Sequence, residues 1–366
     1  MGVRIGVVGA GNISDQYLTN LTTYPDVEVV AIGDLDVERA RAQADRFGVP
    51  EAGTAELVLD HPDIELVVNL TIPAVHAEVD LRALRAGKHV WSEKPLATSL
   101  EEARQVLDLA AETGLRVGCA PDTVLGPGIQ TTLRMVRDGI GGAITGLALC
   151  QNRGPDLWHP SIEFFYAAGG GPVLDVGPYY LTSLVLGLGP VTRVTAIGGR
   201  ARSERAIPAG PRQGTVVPVE VATHAEALLT HSSGATSMVT FSFDSSRRRK
   251  VLEFGGVDAT VQGSDPNTFG GRITRYDAPA VRREEIVDTI DVDAAGAGRG
   301  IGVVDMVRSI ASGTPHQASG ELALHVLEIM LAITDAVEHG GTIAIESTVP
   351  PIEPLPEGWS ATASQI

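Results

Sequence analysis

Cysteine is the rarest residue of this 366-residue chain, present only as Cys119 and Cys150. Two thiols build neither a disulfide framework nor a zinc site, and no metal site is expected. Both lie in apolar, strand-like stretches, RVGCA and LALCQ, where a free cysteine behaves as a small hydrophobe. Aromatic residues make up only 4% of the chain against 42 glycines. That mix suits a layered α/β protein better than a β-sandwich. Basic residues are outnumbered as well, 28 Lys and Arg facing 45 Asp and Glu, for a net charge of −17. This balance excludes a nucleic-acid partner, because phosphate binding requires a concentrated basic surface. The single basic run, Arg247-Arg248-Arg249-Lys250, stands between FSFDSS and VLEFGG. It reads as a solvated turn between strands, with a patch for an anionic ligand as the alternative. No apolar run approaches the roughly 20 residues of a membrane span, so no membrane partner is expected. The chain enters a strand at once (MGVRIGVVGAG) without the pattern of a signal peptide, and a soluble, cytoplasmic protein is the expectation.

What is present is periodic. Strand-like runs VRIGVVGAG, VEVVAIGD, IELVVNLT, KHVWS and LRVGCA alternate with helical stretches up to about residue 121. Such alternation means βαβ units and a parallel sheet with right-handed crossovers. Beyond residue 122 the rhythm changes to longer strands, with hairpin signals at SSG (232–234) and GG (255–256). The expected organisation is therefore an α/β Rossmann domain over 1–121, then an α+β domain over 122–366 with a large, mostly antiparallel open sheet. On 235–244, Ala235, Ser237, Val239, Phe241 and Phe243 share one face, and Thr236, Met238, Thr240 and Ser242 the other. The second face is polar with few charges, and is either solvated or stacked on another subunit.

Gly9-Ala10-Gly11-Asn12-Ile13-Ser14 joins the first strand to the first helix. The first glycine permits the tight turn, and the second lets a pyrophosphate approach amides at the helix start. Ser14 stands where a third glycine is usual. Asp34 closes the second strand about 20 residues on, where a carboxylate accepts the ribose hydroxyls. It repels a 2′-phosphate, and Leu35 beside it offers no arginine to hold one, so NAD is expected over NADP. Read structurally, Asp34 and Asp36 would be a turn and a helix cap, which leaves the glycines unexplained.

GVVGAGNIS, NLTIPAVHAEVDLRALRAGKHVWSEKPLA and GGGPVLDVGPYY, taken together, resemble the Gfo/Idh/MocA family of oxidoreductases over nearly the whole chain. The resemblance implies that Lys94 reaches the substrate beside the nicotinamide, with a Lys94–Pro95 bond that is often cis in such proteins. It also implies that Thr71, Ile72, Pro73, His76, Glu93 and Lys94 line the cofactor. The alternatives are a surface Lys94 after an edge strand and a His76 that caps its helix without touching a ligand. Asp175 and Tyr179 are four apart and share a helical face. Many relatives carry histidine where this chain has Tyr179, while the glucose–fructose oxidoreductases and dihydrodiol dehydrogenases carry tyrosine. A free tyrosine ionises near pH 10, and a neighbouring ammonium lowers that value. The resemblance thus makes Lys94 and Tyr179 one catalytic unit with Asp175 beside it, and Tyr180 is assigned to packing. Trp158 and His159, by the same resemblance, contact the substrate or else anchor a packed loop. Asp122 stands where many relatives have asparagine, and is expected at the substrate.

The function implied is NAD-dependent oxidation of a secondary alcohol of a sugar, glycoside or cyclitol, or the reverse. Two other readings stay open: a sugar–sugar transhydrogenase that retains its nucleotide, and a nucleotide-sensing regulator without turnover. The expected partners are a polyol or sugar and a second copy of the chain, as a homodimer or homotetramer formed through the C-terminal sheet.

Overall fold

The computed structural model describes residues 2–155, 162–209, 211–278, 286–294 and 296–366. The chain forms two compact units, Met1–Pro127 with Asp293–Leu327 and Glu353–Ile366, and Gly128–Val292 with Glu328–Ile352.

In the first unit, β1 (Val3–Val8), β2 (Val27–Gly33), β3 (Glu51–Gly53), β4 (Leu66–Asn69), β5 (His89–Ser92) and β6 (Val117–Cys119) alternate with five helices. These are α1 (Asn12–Leu21), α2 (Val37–Phe47), α3 (Ala55–Leu59), α4 (His76–Arg85) and α5 (Leu100–Thr113). The strands form one parallel sheet in the order β3-β2-β1-β4-β5-β6. Buried runs such as VRIGVV and LVVN supply its apolar strands, as a sheet covered on both faces requires. Helix boundaries follow local chemistry. Asp36 caps α2, which stops at left-handed Gly48, and a Ser99–Glu102 capping box starts α5. The strand order reverses between β1 and β4, the place where open α/β sheets take ligands at their carboxyl ends.

In the second unit, α6 (Pro127–Gly139) leads to β7 (Ala143–Gln151), followed by α7 (Glu163–Tyr166), α8 (Pro172–Leu188) and β8 (Val191–Gly199). A small ribbon of β9 (Glu204–Ala206) and β10 (Val216–Pro218) stands apart. Then come β11 (His224–His231), β12 (Thr236–Ser242), β13 (Arg249–Gly256), β14 (Ala259–Gln262), β15 (Gly271–Asp277) and β16 (Ile286–Val292). With β17 (Thr342–Ala344) from the end of the chain, the large sheet runs β16-β15-β14-β13-β7-β12-β11-β8-β17, and every neighbouring pair is antiparallel except β7 with β12. Helix α8 lies on one face: a side chain at Gly146 of β7 would strike Leu184 and Leu188, and one at Gly187 would strike the Phe254 ring. The other face leaves Ile197, Leu228 and Met238 exposed.

The C-terminal part is α9 (Ile301–Ser312), α10 (Gly320–His339) and β17 (Thr342–Ala344). The sequence-based division at 121/122 differs from the observed one, because α9 packs on β6 and on the turn at Asp122, inside the first unit. Two buried ion pairs fix it there. Arg308 Nε donates to Asp26 Oδ2 at 2.7 Å, and Arg299 Nη1 to Asp122 Oδ1 at 3.2 Å. The second pair corrects the expectation for Asp122. Its carboxylate is fully enclosed, and its other oxygen accepts the Gly300 N–H at 2.7 Å, so it holds α9 rather than facing a substrate. Burial pushes this carboxyl up, against the pull of Arg299.

A third buried acid, Asp80 on α4, accepts from Asn69 Nδ2 at 2.7 Å at the end of β4. Burial pushes its pKa from 3.8 to about 7, against the Asn69 hydrogen bond. The folded state therefore keeps a proton that the unfolded chain releases above its ordinary value. The stability from Asp80 is present in acid and is lost as pH rises from about 4 to about 7. Asp80→Asn should gain stability over the wild type through that window, measured by urea unfolding at successive pH values. A wild-type-minus-variant difference that does not change with pH would overturn this.

Candidate active site

The carboxyl ends of β1 and β2 build the first part of the site. Gly9 has φ 104°, and a Cβ there would lie 2.6 Å from the Leu70 carbonyl oxygen, so the turn needs glycine on both counts. Gly11 is different: a Cβ on it would meet nothing within 4 Å, and as N-cap of α1 it leaves the helix start without a side-chain cap. Open space against uncapped amides is an anion cradle. Ser14, where a third glycine is usual, is buried, and its Oγ donates to the Gly11 carbonyl at 2.6 Å. Asn12 is exposed and Ile13 half-buried at the cradle's edge.

Asp34 accepts the Ala10 N–H at 2.6 Å and the Asp36 N–H at 2.8 Å, which ties the strand end to the glycine turn. Its Oδ1 also takes Arg39 Nη2 at 2.5 Å. Burial raises this carboxyl, but Arg39 and the two amides outweigh it and hold it below the usual range. Leu35 is 98% exposed and Ile72 67%, two large apolar side chains in water at the strand ends, surfaces that a bound nucleotide would cover. These features fit a dinucleotide.

Lys94 follows β5, and its bond to Pro95 is cis. Its backbone N–H donates to Glu93 Oε2 at 3.0 Å, while Glu93 Oε1 accepts the Tyr17 hydroxyl at 2.8 Å. Trp91 Nε1 in turn donates to Tyr17 at 3.3 Å. All of Trp91, Tyr17 and Glu93 are buried. Glu93, expected at the cofactor, thus spends both oxygens inside the protein. His76 also departs from expectation. Only 1% exposed, it sets Nδ1 2.7 Å from the Pro95 carbonyl oxygen and Nε2 3.1 Å from that of Thr71. It staples the loop after β4 to the loop after β5 and offers a ligand no surface. Thr71 is held further by Asn69 Oδ1, which accepts from its hydroxyl at 2.6 Å.

In the second unit, Gly171 and Pro172 start α8, and the period of the helix sets Asp175 and Tyr179 one turn apart. Both line a cavity of about 650 Å³ whose other walls are the end of β7 and the start of β13. Tyr179 is 7% exposed there. Tyr180 packs as expected, edge-on to Phe241 at 6.0 Å, with its hydroxyl donating to Asp265 at 3.4 Å. Cys150 also borders the cavity, and burial pushes its thiol up to about 11, so it remains a protonated packing group. Trp158 and His159 lie outside the described residues.

Sequence reading missed three groups. Arg39 pairs with Asp34 from the first turn of α2, and its signal was only its place three positions beyond the Asp36 cap. Tyr17 is a buried residue of α1, and no local pattern announces its hydrogen bond to Glu93. Arg153 reaches the cavity without a signal in the sequence, and so do Arg248 and Lys250 of the basic run, for which the sequence left a solvated turn and an anionic-ligand patch as alternatives.

Comparison with known proteins is consistent across both units. Residues 3–120 match the model of the oxidoreductase family with NAD-binding Rossmann fold, GFO_IDH_MocA, and residues 129–265 match the GFO/IDH/MocA C-terminal domain. The chain is 32% identical over 246 residues to a dTDP-3,4-didehydro-2,6-dideoxy-alpha-D-glucose 3-reductase of Actinomadura kijaniata, covering 66% of this chain and 69% of that one. It is 31% identical to the trans-1,2-dihydrobenzene-1,2-diol dehydrogenase of Bos taurus, over 55% of this chain and 61% of the other. Among solved structures, the apo form of a levoglucosan dehydrogenase superposes with a TM-score of 0.84 at 20% identity, over 95% of this chain and 100% of that one, a likeness of fold. A 3-ketoreductase from Actinomadura kijaniata in complex with NADP and TDP-benzene gives 0.72 at 25% identity, over 93% and 98%. Matched in order along both of its units, the chain belongs to the Gfo/Idh/MocA family and is an NAD(P)-dependent oxidoreductase.

Proposed function

We propose that this enzyme interconverts a secondary alcohol of a sugar, glycoside or cyclitol and the matching ketone, with NAD as cofactor. The observation that carries the reading is Asp175 and Tyr179 side by side on one cavity, of a size that takes a small ligand. When bound, the nicotinamide supplies the hydride acceptor or donor. Tyr179 takes the hydroxyl proton during oxidation and returns it during reduction. Lys94, fixed at the cofactor edge of the first unit, brings an ammonium that steadies the ionised phenol. Asp175 accepts a hydrogen bond from a substrate hydroxyl and orients the ring. The relatives, named as a sugar reductase and a diol dehydrogenase, support an alcohol–ketone couple.

The preference for NAD rests on Asp34, whose charge repels a 2′-phosphate. Arg39 would suit NADP, but its guanidinium is already bonded to Asp34. The exposed row of Leu228 and Met238, paired across β11 and β12, supports a second copy of the chain stacked on the open sheet face.

Lys94→Ala and Tyr179→Phe should each lower kcat at least about a hundredfold while leaving the melting temperature near wild type. Near-normal turnover in both would remove the proposed chemistry. In Asp34→Asn, which keeps an acceptor for Ala10 and frees Arg39, the ratio of kcat/KM for NADP to that for NAD should rise at least about tenfold. A wild type that already prefers NADP would sink the cofactor assignment. The double variant Leu228→Glu, Met238→Lys should sediment as a monomer where the wild type does not. Equal masses for the two would refute the stacked sheets.

A further inference from the structure

The cavity in the second unit inverts the charge of the chain around it. Across the sequence, acids outnumber bases 45 to 28. Among the described residues, the charged side chains on the cavity wall are Arg153, Arg248 and Lys250 against Asp175. Strand geometry explains how a run of four bases produces this. On β13, Leu252 and Phe254 alternate as buried residues, and Phe254 lies against α8. Counting back by two brings Lys250 and then Arg248 to that same side, where both line the cavity, while Arg247 and Arg249 do not.

The three cations are not equivalent. Lys250 is matched by an ion pair with Asp265, which also accepts from the Tyr180 hydroxyl and the Asn267 N–H. Among the described residues, the guanidinium of neither Arg153 nor Arg248 meets a carboxylate, and both side chains are exposed. Like charges lining one cavity repel, and an anion placed between them relieves that repulsion. Guanidinium forks match the two oxygens of a carboxylate or phosphate. A neutral polyol asks for no such concentration of positive charge.

We propose that the substrate carries an anionic group, a carboxylate or a phosphoester, received by Arg153 and Arg248 in the cavity that Asp175 and Tyr179 also line. The proposal rests on the sugar-oxidoreductase reading and names the substrate class of that site. The two sources of the anion are a sugar acid and a phosphorylated or nucleotide-linked sugar.

The test is binding, with turnover read separately. NAD-loaded protein is titrated calorimetrically with matched sets of gluco, galacto and manno configuration: the neutral sugar, its uronate, its 6-phosphate and its nucleoside diphosphate ester. In at least one set a charged member should bind at least about tenfold more tightly than the neutral one. That preference should fall with added salt. It should shrink to about unity in Arg153→Gln, Arg248→Gln and persist in Arg247→Gln. A uronate preferred over the esters assigns a sugar acid, and the reverse assigns a phosphoester. Equal affinity for charged and neutral members, no binding of any anion at millimolar concentration, or a preference that survives in the double variant overturns the proposal. NADH formation in the same samples keeps the two readings apart. Turnover of neutral sugars without anion selectivity sinks only the anionic substrate, and selective binding with no NADH formed in any set sinks only the dehydrogenase.

Discussion

The Lys94 backbone is gripped from both sides by buried polar groups, and much of the first unit is arranged around that grip. Glu93 accepts the Lys94 N–H on one oxygen and the Tyr17 hydroxyl on the other, while His76 faces the Pro95 carbonyl. A carboxylate drawn out of water is tolerable only when its lone pairs are engaged. Tyr17 on α1 and Trp91 on β5 exist in the core as much for that reason as for their bulk. The second nitrogen of His76 carries the restraint to Thr71, and Asn69 extends it to Asp80 on α4. One polar web therefore fixes both the loop after β4 and the lysine after β5. A side chain meant to act at a defined place gains from such support, since loosely held groups lose the advantage of orientation.

Charge is used sparingly at the same edge. Asp34 alone ties the glycine turn, the α2 start and Arg39 together, and its low carboxyl value reflects the three donors aimed at it. The same residue to which the NAD preference is assigned as a proposal thus also shapes the cradle. Recognition and local folding cannot be separated at this position, whereas at Gly11 the function is simply unfilled space.

The order of elements was readable from the sequence because it depends on local chemistry. Glycine turns, the Ser99 capping box and Gly48 are written within a few residues of the structures they cause. The alternation on 235–244 likewise placed Val239 and Phe241 on the buried face. What failed depends on distant partners. Asp122 meets Arg299 across 177 residues, and no local pattern announces that a carboxylate near a strand end will be enclosed by a returning helix. His76 is linked to Pro95, 19 residues on, through a loop closure invisible in the linear chain. The same returning helix moved the unit division. Strands β15 and β16 carry only a weak signal, because GRITRYD and IVDTIDV set charged residues at both alternating positions, which hides a period of two. The basic run is a different case: it does contain a turn, but Arg248, just before β13, and Lys250, within it, also line the cavity.

That last case shows how the second unit divides its labour. Asp175 and Tyr179 sit in the first turns of α8, whose start is set by left-handed Gly171 and by Pro172 and whose body is packed on the sheet. Moving either would mean moving the helix. Arg153 and Arg248 stand just past the end of β7 and just before β13, exposed, with no part in the core. Residues so placed can change with little consequence for folding. Chemistry held on a rigid helix and charge read from strand-end loops are physically independent. A chain built this way can change the charges at its strand ends while the helix keeps Asp175 and Tyr179 in place on the cavity.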